Sequence, residues 1–118
     1  MSYIKYNERK PFSWLNNSSR LFLERGYLLP NVTPENRIRE IAKAANEYLN
    51  MDDFEEKFYE YMSKGYYSLS SPVWANFGLS RGLPISCFNS YVDDSISGII
   101  EAVSEIGVMS KIGGGTSA

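Results

Sequence analysis

Charged side chains are divided so unequally along this 118-residue chain that its two halves cannot share one environment. Residues 1–64 carry 20 of the 26 charged side chains, while residues 65–118 carry six: Arg81, Asp93, Asp94, Glu101, Glu105 and Lys111. Charges are rarely buried unless paired, so the second half reads as a surface meant to be covered and the first as a solvated unit. Other classes are excluded by count. With no His and one Cys, the chain can build neither a disulfide framework nor a Cys/His zinc site, and no metal site is expected. A Ser-His-Asp triad is equally impossible. The net charge of −2, with no basic run, argues against nucleic acid held through its phosphates. No stretch approaches the roughly 18 apolar residues a membrane span needs. The start lacks a signal-type apolar run, so a cytoplasmic protein is expected.

Within the first half the period is helical. A short apolar stretch at Leu21, Phe22 and Leu23 predicts a helix over about residues 13–25. Thr33 can cap and Pro34 suits a first helical position, and Ile38, Ile41, Ala42, Ala45, Tyr48 and Leu49 share one face of a helix over 34–49. Phe54, Phe58, Tyr61 and Met62 repeat that pattern from Asp52 and Asp53 to Lys64, where Gly65 follows. Together these two make a helical hairpin.

From Tyr66 the period changes. Ser71-Pro72 is expected to break helix, and Gly78, Gly82 and Pro84 punctuate a loop. Ile85 to Val92 reads as a strand. Asp93, Asp94 and Ser95 then offer cap oxygens for a helix whose Ile96, Ile99, Ile100, Val103 and Ile106 form one stripe, running to about Lys111. It runs into Gly113, Gly114, Gly115, Thr116, Ser117 and Ala118, from which the chain is expected to be an N-terminal piece of a larger protein. The residues divide into a helical region, 1–69, and a second region, 70–118.

Three places could carry chemistry. Cys87, in Pro84-Ile85-Ser86-Cys87-Phe88, is either an inert core residue or a thiol donating electrons, and the second role needs another Cys outside this sequence. Asp93, Asp94 and Ser95 either cap a helix or form a polar rim whose carboxylates accept from ribose hydroxyls and whose free amides attract phosphate. Gly113 to Gly115 either end a helix or let backbone approach a phosphate or sugar. Tyr and Phe across 54–91 read as core, since basic neighbours are lacking.

Several motifs fall in one order: Trp14-Leu15-Asn16-Asn17-Ser18-Ser19-Arg20-Leu21-Phe22-Leu23-Glu24-Arg25-Gly26-Tyr27-Leu28, Ser70-Ser71-Pro72-Val73-Trp74-Ala75-Asn76, Leu83-Pro84-Ile85-Ser86-Cys87-Phe88, Asp93-Asp94-Ser95, and Ser110-Lys111-Ile112-Gly113-Gly114-Gly115. As an ordered set they resemble the N-terminal region of the large catalytic subunit of ribonucleotide reductase. The resemblance implies a mainly α fragment leading into the first strand and helix of a larger α/β ten-stranded barrel. It implies oxidoreductase activity in deoxyribonucleotide biosynthesis, and so a place in DNA replication.

Residue by residue, Cys87 matches the redox-active cysteine that reduces the ribose and ends in a disulfide. Ser71, Ser86, Gly113 and Gly114 match substrate-binding positions. Asp94, Ser95 and Ile96 match the start of a specificity-effector site, where a dNTP or ATP binds. The helix 94–111 resembles one that forms a homodimer. Implied partners are a ribonucleotide substrate, nucleotide effectors, a radical-generating small subunit that holds the metal, and thioredoxin or glutaredoxin as reductant. No cofactor is expected in this chain. The thiyl-radical cysteine and the second redox cysteine have no counterpart here, so these residues alone should be inactive. Class I is the leading reading. The alternatives are a cobalamin-dependent class II reductase, or a non-catalytic helical interaction module with a buried structural Cys.

Overall fold

Asn16, Thr33 and Ser95 each start a helix, and each does so by accepting a hydrogen bond from an amide three residues on. In the computed structural model, which describes residues 9–118, the order is α1 (Asn17–Gly26), α2 (Pro34–Leu49), α3 (Phe54–Ser63), α4 (Ser71–Asn76), β1 (Cys87–Asn89), α5 (Ile96–Ile112) and β2 (Gly115–Ser117). The helix expected over 13–25 begins later, at Asn17, because the Asn16 side-chain oxygen takes the Ser19 amide at 2.9 Å and residues before it form a turn.

The hairpin of α2 and α3 is as the periodicity predicts, with α2 spanning 34–49. Ile38, Ile41 and Ala42 are buried, whereas Tyr48 and Leu49, at the far end of the same stripe, are exposed. The core joins Leu15, Leu23, Ile38, Met62 and Trp74, with Phe12, Trp14, Tyr27 and Phe58 packed around it. Burying each large apolar side chain contributes roughly 1.5–3 kcal/mol. Trp14 adds a polar contact, its ring N–H donating to the Met62 and Ser63 carbonyls at 3.0 and 3.2 Å where α3 ends. On the outer face the Arg39 guanidinium lies 3.7 Å from the Tyr59 ring centroid and pairs with Glu55 and Glu56.

Two expectations for the second half are corrected, and a second strand is added. Ser71-Pro72 starts a helix instead of breaking one, because proline suits the first turn of α4, where its missing N–H is not needed. The strand expected over Ile85 to Val92 is confined to Cys87–Asn89, since only those residues meet a partner strand. That partner, β2, was not anticipated: it pairs in parallel with Cys87 opposite Gly115, Phe88 opposite Thr116 and Asn89 opposite Ser117. The unit β1-α5-β2 is therefore a βαβ crossover.

The stripe on α5 is mostly open: Ile106 is half-buried and Ile96, Ile99, Ile100 and Val103 are exposed, while the buried residue of the helix is Ala102, outside the stripe. No helix is long and apolar enough to cross a membrane among the described residues.

Candidate functional site

Gly113 ends α5 in the left-handed region, φ +102°, which favours glycine, and its amide returns to Ser110. The capping reading of the first of the three glycines therefore holds locally. The chain then turns back, and the Gly115 amide donates to the Ser86 carbonyl at 2.6 Å, which opens the pairing of β1 with β2. Gly114 lies under Phe88: a Cβ there would stand 2.5 Å from Phe88 Cδ2 and 3.2 Å from the Met109 carbonyl oxygen. Phe88 thus presses on the glycine turn and fixes its height over the strand.

These contacts form one wall of a cleft of about 220 Å³. Ser86 and Phe88 line it from the strand, and Gly113 and Gly114 from the turn. Ser71, Ala75 and Asn76 of α4 line the other wall, with Gly26 and Tyr27 at the end of α1. All four residues singled out for substrate, Ser71, Ser86, Gly113 and Gly114, therefore share one cavity although they are up to 43 positions apart.

Cys87 is exposed, which overturns the reading of a buried structural thiol. It is not in the cleft lining, to which its neighbours Ser86 and Phe88 contribute. Its sulfur lies 3.8 Å from the Ser86 hydroxyl. The thiol is thus beside the cleft, next to one of its hydroxyls and opposite Gly115 in the ladder.

Asp94, Ser95 and Ile96 sit at the other end of α5 from Gly113, about 25 Å away for a helix of 17 residues. Of the three cap candidates, Ser95 is the cap: its Oγ accepts from the Gly98 amide at 3.0 Å and donates to Asp93 Oδ2 at 2.9 Å. Asp94 and Ile96 are exposed. The open groove along α5, about 550 Å³, is lined by Asp93, Glu101 and Glu105 with no basic residue. Its acidic lining by itself does not favour phosphate. No group of three or more His, Cys, Asp or Glu side chains is placed to hold a metal ion among the described residues.

Tyr27, Asn76, Phe88 and Arg37 were missed in the sequence as parts of this region. Arg37 is the buried one, 2% exposed. A signal existed, since on a helical wheel Arg37 flanks Ile41 within the apolar stripe.

Residues 13–82 match the family described as ribonucleotide reductase, all-alpha domain. The ribonucleoside-diphosphate reductase large subunit of Invertebrate iridescent virus 6 is 41% identical over 63 residues, covering 53% of this chain and 7% of that protein. The same-named protein of Invertebrate iridescent virus 3 is 40% identical over 60 residues, covering 51% and 10%. This chain thus spans a tenth or less of these relatives' length. Among solved structures, the class Id ribonucleotide reductase alpha subunit of Actinobacillus ureae is 60% identical with a TM-score of 0.88, over 93% of this chain and 21% of that one.

Proposed function

Because this chain belongs to the ribonucleotide reductase family through the all-alpha domain of the large subunit, we propose that it works as part of a class I catalytic subunit reducing ribonucleoside diphosphates. The observation that carries this is the meeting of Ser71, Ser86, Gly113 and Gly114 in one cleft beside the exposed sulfur of Cys87. The hydroxyls of Ser71 and Ser86 hydrogen-bond the nucleotide, and the glycine turn lets its backbone come close to phosphate or sugar.

Chemically, the 2′-hydroxyl leaves as water. Two thiols each give up one hydrogen, as a proton and an electron: one hydrogen replaces the hydroxyl on carbon, the other completes the water, and the two sulfurs join as a disulfide. Cys87 is one of these thiols and a cysteine outside this sequence is the other. Thioredoxin or glutaredoxin returns the pair to dithiol. A thiyl radical initiates the reaction at a third cysteine outside these residues, supplied by a separate metal-containing subunit. Asp94, Ser95 and Ile96 contribute to an effector site at the far end of α5, with the cations that hold its phosphates coming from elsewhere.

In the complete reductase, Cys87→Ser abolishes multiple turnover with thioredoxin while nucleotide binding stays near that of the parent enzyme. Full multiple turnover by this variant overturns the assignment. The class Id neighbour favours a separate radical subunit over adenosylcobalamin. Activity that depends on adenosylcobalamin and not on a second subunit would reverse that choice.

A further inference from the structure

Helix α4 is six residues long, far below the length at which a helix holds itself together in water, yet it carries Ser71, Ala75 and Asn76 into the cleft. Something other than its own propensity must fix it. Trp74 is buried in the core and supplies one anchor. The other is Arg37 of α2, whose Nε donates to the Trp74 carbonyl at 2.8 Å. One terminal nitrogen donates to the Phe77 carbonyl at 2.7 Å and approaches that of Val73 at 3.5 Å. The second terminal nitrogen reaches Glu40 at 3.2 Å.

The carbonyls that end a helix have no partners within it. Here Arg81 takes that of Ala75 at 3.1 Å and the Leu79 amide takes that of Asn76 at 3.0 Å, leaving those of Trp74 and Phe77 to Arg37. From α4 the linkage continues toward the strand, because Asn76 Nδ2 donates to the Leu83 carbonyl at 2.8 Å. A buried charge is a poor device for stability alone, since an apolar side chain of similar volume serves as well or better. A planar fork that meets several fixed acceptors instead defines position.

We propose that Arg37 is a positioning residue that clamps the C-terminal carbonyls of α4 and thereby sets Ser71 against Ser86 and the glycine turn for ribonucleotide binding. This rests on the reductase reading of the cleft. Arg37 does not line the cleft, and its effect passes through α4.

The test uses the full-length reductase with its radical subunit, with CDP as substrate and a fixed effector. Losing alignment removes binding from ground state and transition state alike, so Arg37→Met raises KM for CDP about tenfold with little change in kcat. Arg37→Lys, whose compact ammonium cannot reach all the acceptors, gives an intermediate KM. Arg39→Met, which removes an arginine from the outer face of α2 without touching α4 or the cleft, leaves KM unchanged. Amide hydrogen exchange over residues 71–77 accelerates in Arg37→Met and not in Arg39→Met. If Arg37→Met does not fold, Arg37→Lys carries the comparison alone. A KM that rises no further in the Arg37 variants than in Arg39→Met, with unaltered exchange, overturns the proposal. Should the parent enzyme fail to reduce CDP, the proposed function falls, and the exchange measurement still decides whether Arg37 holds α4.

Discussion

Glycine at position 114 is required by its neighbour as much as by any ligand. The Phe88 ring occupies the space a Cβ would need, so Gly114→Ala forces the ring or the turn to move. Overpacking of this kind costs about 1–3 kcal/mol. Denaturant unfolding of Gly114→Ala should show that loss, and adding Phe88→Leu should recover most of it. An alanine variant as stable as the parent would mean that Phe88 does not pack as described. Cys87 illustrates the limit of reading one residue at a time. Its place among the ordered motifs matches a redox cysteine of the family they resemble, but a lone cysteine by type reads as a buried one. Exposure beside Ser86 is a property of the folded strand.

Ion pairs join the first two helices. Arg20 of α1 forms a two-pronged pair with Glu35 in the first turn of α2, one contact being 3.0 Å. The Arg20 hydrogen bonds hold the Glu35 carboxyl below its ordinary value of 4.5, with partial burial opposing. A carboxylate with a depressed folded pKa stabilises the fold above its unfolded pKa and loses that contribution as pH falls through the folded value. Glu35→Gln should therefore melt below the parent by a modest, constant margin from neutral pH down to about 4.5. The two melting curves should converge at lower pH, and added salt should shrink the gap, because both side chains are partly exposed. A gap that persisted unchanged into strong acid would show that the pair is not its cause. At this scale, helices with a strong local cap were legible from residue order alone. The six-residue α4 was not, because proline before an apolar pair reads as a breaker until Trp74 finds the core and Arg37 finds the carbonyls.

The described part of the chain is elongated, 59 × 37 × 31 Å, with a radius of gyration of 18.5 Å against about 13–14 Å for a compact chain of similar length. Much of its apolar surface is open, most of all along α5, where Ile96, Ile99, Ile100 and Val103 lie exposed on one face. A contiguous apolar stripe of this kind marks an association surface. Sedimentation of this polypeptide should show mass rising with concentration. Ile100→Glu or Val103→Glu should return it to monomer, without loss of helix content, since neither side chain is buried. A parent chain that stays monomeric throughout would show that α5 is not such a surface.

Helix starts, the α2–α3 hairpin and the charge-poor character of residues 65–118 were written in the order of residues, because caps and apolar periods act within a few positions of themselves. The cleft was not. Ser71, Ser86 and Gly113 meet only after a parallel pairing across α5 brings Gly115 to Cys87, and after a buried arginine from α2 anchors a helix too short to stand alone. Contacts of that range depend on how whole elements pack, and packing is a property of the assembled fold that no local pattern encodes.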